Sequence, residues 1–471
     1  MKRFIKWLII ALLTFSSFGT IYYVYKLNVI KENYLILGGI IITLLWFFLS
    51  FKLIRRKTRK VPKFICGILS ILLICVYSLL CRYANATIDY AKKMTNITYE
   101  TVNYSVLVLK NSNYTELLDL KNKKIGFLNS DNNLDKSIST LNKKLDYTSE
   151  TYNEIGSLIG NLYEKKVDSI VISDSYFPLL EDNKVEFIND YKVIYKYSIK
   201  VNTKNDKVNK VDVTKEPFIL YLSGTDSRTT VSDIARSDVN IIAVVNPKSN
   251  KVLLINTPRD YYVQLHGTYG IKDKLTHAGV YGIEMSKNTM QDLLDININY
   301  YAKVSFSTVV NLVDAIDGID MYSEMSFIPN ADDKCPIVEG NQHLDGKCAL
   351  AFARERYSYS SGDRHRGQNQ QAVITAIINK LTNPKYLIRY NKILNSIEGT
   401  METDLSYDEL TTFVKYELTN LDKWSVESIS LDGTGAYAGT YSMGSDLELY
   451  VMIPDENTIN IAKEKIQEYL K

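Results

Sequence analysis

Residues 217–260 read PFILYLSGTDSRTTVSDIARSDVNIIAVVNPKSNKVLLINTPRD. Three apolar runs within it, 218–222, 239–246 and 252–257, have the length and β-branched content of buried strands. Residues 247–250, Pro-Lys-Ser-Asn, supply the turn between the last two. Each run is bordered by a short motif holding both Asp and Arg: Gly224-Thr-Asp226-Ser-Arg228, Arg236-Ser-Asp238 and Pro258-Arg259-Asp260. Gly224 is expected to allow a tight turn that exposes the side chains after it. Asp226 and Asp238 are then expected to meet at neighbouring strand ends. Two carboxylates that close repel unless a cation lies between them and a substrate phosphate, a setting that suits Mg²⁺, with Mn²⁺ as the alternative ion. Each Asp taken singly fits turn chemistry or a helix cap equally well.

Working outward, helical periodicity follows at 286–294, 306–316 and 368–381, the last ended by Pro384. Further helices fit 407–421 and 458–470, with a strand near 424–431. The sum is an α/β unit, an α-β-α sandwich catalytic domain over 215–471. Upstream, strand-like runs at 104–109, 124–128 and 167–173 alternate with helical ones at 134–145 and 154–165. Residues 95–205 thus form a small α/β accessory domain, without a catalytic constellation of their own. The polar stretch 202–212 reads as a linker.

Residues 1–83 form a membrane anchor. Apolar stretches at 7–27, 34–53 and 64–81 each approach the ~20 residues that cross a bilayer. The first is too long for a signal peptide and lacks a small-residue cleavage site. Lys2, Arg3 and Lys6 precede the first span, and the second linker carries Lys52, Arg55, Arg56, Lys57, Arg59, Lys60 and Lys63 without an acid. The positive-inside rule puts those segments in the cytosol, so the chain after about residue 83 is extracytoplasmic on a multi-pass cell-membrane protein. Residues 1–83 hold 13 basic groups and one acid, whereas the rest holds 43 basic and 52 acidic. A net-acidic body is a poor nucleic-acid binder, and no cytosolic stretch is long enough for a DNA-binding domain.

Arginine usage locates the chemistry. The chain has 13 arginines: five lie up to Arg82, none between 83 and 227, seven between 228 and 366, and the last is Arg389. With 43 lysines elsewhere, arginine marks places where a planar, permanently charged fork is wanted for phosphate or carboxylate. Surface salt bridges would scatter over both exported domains, and these arginines do not. The last cluster reads Ala353-Arg354-Glu355-Arg356-Tyr357, then Gly362-Asp363-Arg364-His365-Arg366-Gly367-Gln368-Asn369-Gln370-Gln371. It opens a helix whose N–H groups add to an anion site. Arg354 and Arg356 would face one way on a strand and diverge on a helix. There is no P-loop, no G-x-S-x-G and no H-E-x-x-H. The four histidines read as ordinary polar residues, with His277 as one that lines the site. Cys335 and Cys348, the two cysteines beyond the anchor, could pair or stay free; spacing does not decide.

These motifs in this order (GTDSR, RSD, TPRD, KLTHAGVYG, LDGKCALAFARERY and GDRHRGQNQQ, over roughly 218–381) resemble the LytR–CpsA–Psr family. The three-span anchor and accessory domain are similar to its capsule-associated CpsA-like branch. The resemblance implies an Mg²⁺-dependent phosphotransferase that moves a glycopolymer, capsular or teichoic-acid-like, from a polyprenyl-pyrophosphate carrier to a muramic acid hydroxyl of peptidoglycan. The family's metal-binding carboxylates match Asp226 and Asp238. Its phosphate-binding arginines match Arg236, Arg259, Arg354, Arg356 and Arg366, its helix glutamine matches Gln370, and Arg228 joins them from the first motif. Asp363 matches the acid that activates the acceptor, and Arg259, Arg354 and Arg356 are expected to share the catalytic work. Many members have Arg-Gln-Gln where this chain has Asn369-Gln370-Gln371, and TPRD replaces the commoner IPRD. The alternatives are a non-enzymatic polyprenyl-phosphate binder that regulates polysaccharide export machinery, and a lipid pyrophosphate hydrolase. The motifs address the pyrophosphate and not the sugars, so they do not name the polymer.

Overall fold

A computed structural model of the chain describes residues 3–55, 59–95, 99–183, 185–202, 210–225, 231–359, 362–387, 389–420 and 423–471. It divides into two units. One comprises Met1–Asn96, Leu381–Glu398 and Leu405–Asp422; the other comprises Ile97–Lys380, Gly399–Asp404 and Lys423–Lys471.

In the first unit three helices, Arg3–Leu27, Glu32–Ile54 and Lys60–Thr95, are long and apolar enough to cross a membrane. The third has 36 residues and is therefore about 54 Å long, well beyond the ~30 Å hydrocarbon core. Its C-terminal part carries Arg82, Asp89, Lys92 and Lys93 and does not end at residue 81. There Ile88 and Ala91 pack with Leu27, Val29 and Tyr407 in one apolar cluster. The short helix Tyr390–Ser396 and the helix Tyr407–Asn420 belong to this unit, although the sequence reading had assigned both to 215–471. The Tyr407 hydroxyl donates to the Leu27 carbonyl at 3.2 Å.

The second unit contains two sheets. The accessory sheet has the strand order Thr148–Tyr152, Lys124–Leu128, Ser169–Ser173, Tyr99–Leu109, Tyr191–Asn202. The first three run parallel, and Tyr99–Leu109 pairs antiparallel with both of its neighbours, Ser169–Ser173 and Tyr191–Asn202. Its helices Leu134–Asn142 and Ile155–Tyr163 match the expected ones, while strands Thr148–Tyr152 and Tyr191–Asn202 were not anticipated.

The larger sheet is six-stranded, in the order Met401–Thr403, Tyr300–Ser305, Phe218–Thr225, Ser237–Asn246, Lys251–Asn256, Ser425–Ser430. Strand Phe218–Thr225 pairs parallel with Tyr300–Ser305 and antiparallel with Ser237–Asn246. Alternation sorts its residues onto two faces. Ile219, Tyr221, Ile242, Val244, Leu253 and Ile255 share one core with Met290 and Leu294 of helix Ile283–Leu294 and with Ile459, Ala462 and Ile466 of helix Glu456–Tyr469. Leu254 and Asn256 point the other way, toward helix Asp363–Leu381. There the Gln371 amide donates to the carbonyls of Leu254 (3.1 Å) and Ile429 (2.7 Å). A Cβ at Gly367 would lie 2.1 Å from the Asn256 amide nitrogen, so the glycine lets this helix approach the sheet without displacing that side chain. The result is the expected α-β-α sandwich.

The accessory sheet is joined to the larger module by more than a linker. Thr101 forms a parallel bridge with Asp233, its N–H donating to the Ser232 carbonyl (2.9 Å) and its carbonyl accepting the Ile234 N–H (3.0 Å). Glu100 is buried with Lys303 in an ion pair of 2.7 Å and also accepts the Ile283 N–H at 3.0 Å. Residues 203–209 of the expected linker lie outside the described residues. Cys335 and Cys348 form a disulfide.

Candidate active site

Asp238 sits in a break of the β ladder. Gly224 pairs with Val239 and Thr225 with Ser237, so Asp238 is the extra residue of a bulge. A bulge re-aims the side chain it inserts and is frequent beside active sites. Gly224 serves this geometry differently from the turn role expected of it. It lies within the strand, and a Cβ there would meet Val239 Cγ2 at 2.6 Å. The glycine is needed for lateral room.

Asp238 faces a cavity of about 1020 Å³. Arg236, Arg259, Arg354, Arg356, Arg366 and Gln370 all line it, brought from separate parts of the chain. Arg259 follows strand Lys251–Asn256, and its Nη1 donates to Asp238 Oδ1 at 2.8 Å. Its Nε is buried and makes no hydrogen bond among the described residues. Thr276, from the KLTHAGVYG segment, donates to the same Asp238 oxygen at 3.1 Å. Gly279 in that segment passes so close to the Arg236 backbone that a Cβ would lie 2.5 Å from the Ala235 carbonyl oxygen.

Arg354 and Arg356 do not sit on a strand. Helix Gly346–Arg354 ends at the first of them, and the chain turns before the second. Buried Glu355 holds this corner by accepting the backbone N–H groups of Asn330 (2.6 Å), Tyr357 (2.7 Å), Ser358 (2.9 Å) and Arg356 (3.0 Å). Burial disfavours its charge, but those four donors outweigh it and hold the carboxyl below the usual range. The Arg354 guanidinium lies 4.5 Å from the Phe306 ring centre and that of Arg356 4.6 Å from Tyr357, stacking contacts that fix planar forks.

Helix Asp363–Leu381 supplies Arg366 and Gln370, one turn apart on one face. Arg366 Nη2 pairs with Asp363 at 2.7 Å. Burial raises the Asp363 carboxyl above its ordinary value, with nearby Asp260 adding to the rise and Arg366 and Arg259 opposing it. Asp238 behaves in the opposite way. Burial works against its charge, yet Arg259, Arg236 and Arg366 together hold its carboxyl below the ordinary value. The two acids are thus driven apart in pKa, the usual mark of divided roles. His277 also lines the cavity, its Nδ1 2.7 Å from buried Asp273.

Six permanent cations (the five arginines and Lys274) face three carboxylates, Asp182, Asp238 and Asp260, among the described lining residues. Such an excess suits a polyanion with more than one phosphate. Of the two carboxylates expected to hold a divalent cation, Asp238 lines the cavity, its charge favoured by the surrounding arginines. Asp226 and Arg228 lie outside the described residues.

The LytR_cpsA_psr family model matches residues 188–457, which contain every one of these side chains except Asp182. The chain belongs to the LytR_cpsA_psr family. It is 34% identical over 238 residues to the polyisoprenyl-teichoic acid–peptidoglycan teichoic acid transferase TagU of Bacillus cereus strain ATCC 14579, covering 49% of this chain and 76% of that protein. The transferase of the same name from Enterococcus faecalis V583 is 32% identical over 241 residues, covering 51% of this chain and 77% of its own. Among solved structures, B. subtilis TagV (26% identity, TM-score 0.46) covers 54% of this chain and 98% of its own. TagT bound to LI-WTA (25% identity, TM-score 0.46) covers 56% and 94%.

Against this family background, the accessory module makes an unanticipated contribution. Asp182, at the end of the short helix Phe177–Asp182, pairs with Arg236, and Arg259 Nη2 lies 3.9 Å from the same carboxylate. Leu179 and Asn183 also line the cavity. No motif marks these residues. Asp260 and Lys274, paired at 3.2 Å, lay inside quoted motifs and had been given no role.

Proposed function

We propose that this protein is a membrane-anchored phosphotransferase that moves a polyprenyl-pyrophosphate-linked glycopolymer, capsular or teichoic-acid-like, onto peptidoglycan. The observation that carries the reading is the convergence of five arginines on one cavity that Asp238 also lines, with Asp363 paired to Arg366 of that cavity. The teichoic acid transferase activity for which the relatives are named agrees with it. The three apolar helices suit an outward-facing site beside a lipid-linked donor, with everything after the third span extracytoplasmic.

In the reaction, the muramic acid hydroxyl oxygen attacks the phosphorus that bears the glycan. The bond from that phosphorus to the bridging oxygen breaks, and polyprenyl phosphate leaves with the electron pair. Asp363 takes the hydroxyl proton, and its raised pKa favours this transfer. Arg259, Arg354 and Arg356 neutralise the nonbridging oxygens, while Arg236, Arg366 and Gln370 hold the pyrophosphate, with Arg228 contributing from the first motif. Asp238, with Asp226, would hold Mg²⁺ or Mn²⁺, which when bound offsets phosphate charge in the transition state. Chelation tests the metal assignment. In the full chain with donor and acceptor present, EDTA should abolish phosphodiester product and Mg²⁺ should restore it; undiminished product in EDTA would refute the metal role.

A further inference from the structure

A second cavity, of about 600 Å³, lies against another side of helix Asp363–Leu381. At 100° per residue, Arg364, Gln368, Thr375 and Asn379 fall within about 60° of one another and roughly opposite Arg366 and Gln370. All four line this groove, which Tyr322 and the edge-strand residue Ser428 border from the other sides. From Arg364 to Asn379 it follows 15 residues of helix, about 22 Å. Its volume lies within the usual range for small-ligand sites.

The lining is chemically unlike the arginine cavity. Arg364, the one cation among the described lining residues, is paired with Asp432 at 2.8 Å, and Asp320 adds a further negative charge. A pyrophosphate would find no net attraction there. Carboxamides and hydroxyls instead offer donors and acceptors to a polyhydroxylated chain. The Tyr322 ring, 62% exposed, offers a flat apolar face of the kind on which a sugar ring stacks. The Arg364 end of the groove adjoins Asp363, the preceding residue of the helix, whose carboxylate pairs with Arg366 of the arginine cavity.

We propose that this groove binds the glycan strand of peptidoglycan. The proposal rests on the phosphotransferase reading and adds the acceptor site to it. The two cavities share no described lining residue, so the strand would run past the Arg364 end of the helix to bring a hydroxyl to Asp363.

The test uses the full chain in detergent micelles and a soluble N-acetylglucosamine–N-acetylmuramic acid oligosaccharide, with binding measured by calorimetry. Thr375→Trp fills the groove and Tyr322→Ala removes the stacking face. Each should weaken oligosaccharide binding at least tenfold and leave inorganic pyrophosphate binding unchanged, whereas Arg259→Ala should do the reverse. In steady-state assays Tyr322→Ala should raise the acceptor KM with kcat retained. Unfolding curves identify a variant that fails to fold, and either variant alone suffices. The proposal is overturned if the wild type does not bind the oligosaccharide, if both groove variants bind it normally, if Arg259→Ala abolishes its binding, or if free stem peptide binds equally well. Groove-dependent binding by a protein that forms no product would instead refute the transfer reading and leave the glycan site standing.

Discussion

Replacing Asp182 by alanine removes the one carboxylate, among the described residues, that the accessory module places beside the phosphate-site arginines. Arg236 is nearly buried, with 9% of its side chain exposed, while Asp182 is 53% exposed. A pair with one half-exposed member is partly screened by water and contributes about 0.5–1 kcal/mol. An incoming phosphate has to displace that carboxylate from Arg236 and, at 3.9 Å, from the neighbourhood of Arg259. At 1.4 kcal/mol per decade, losing this competition should tighten inorganic pyrophosphate binding about two- to fivefold. Asp182→Asn should act in the same direction, and Asp182→Glu should stay near wild type. Calorimetry on the full chain at low and high salt measures the effect, and the gain should shrink as salt screens the charges. Weaker binding in Asp182→Ala would refute the competition argument and make Asp182 a support for Arg236.

Two further perturbations follow from buried charges. Burial raises the Asp363 carboxyl, so the ionised base is lost as pH falls through a value above the ordinary ~3.9. The acid limb of the kcat/KM profile should therefore lie above that value, and Asp363→Asn should remove both the limb and most of the rate; Asp238, shifted downward, should not contribute to it. Lys303→Met leaves Glu100 buried without its 2.7 Å partner, which should cost about 3–5 kcal/mol. Denaturant unfolding should show that loss, and adding Glu100→Gln should recover much of it.

What the sequence made legible follows the strength of local signals. The strands at the centre of the larger sheet were readable because both faces are covered and their apolar runs are unbroken. Thr148–Tyr152 is polar and largely exposed at a sheet edge, so neither apolar run nor alternation announces it. Helix Gly346–Arg354 has only nine residues, and its end between two arginines defeated both the strand and the helix reading of Arg354 and Arg356. They reach one cavity because Glu355 gathers backbone N–H groups into a corner, a role that looks in sequence like an ordinary acid between two bases. The site arginines were legible because the chain otherwise uses lysine. Asp182 was not, since its partner Arg236 lies 54 residues away in another module and only tertiary packing joins them. The Cys335–Cys348 bond was likewise left open by spacing and decided by the fold.

The most direct test of the central claim combines the full chain, a polyprenyl-pyrophosphate-linked oligosaccharide, Mg²⁺ and peptidoglycan fragments, with mass spectrometry for a phosphodiester-linked product. Wild type should form that product and release polyprenyl phosphate, and Arg259→Ala, folded by its unfolding curve, should lose about 10²- to 10³-fold in rate. Donor bound at the arginine cavity with no product, while acceptor and metal are present, would contradict the account.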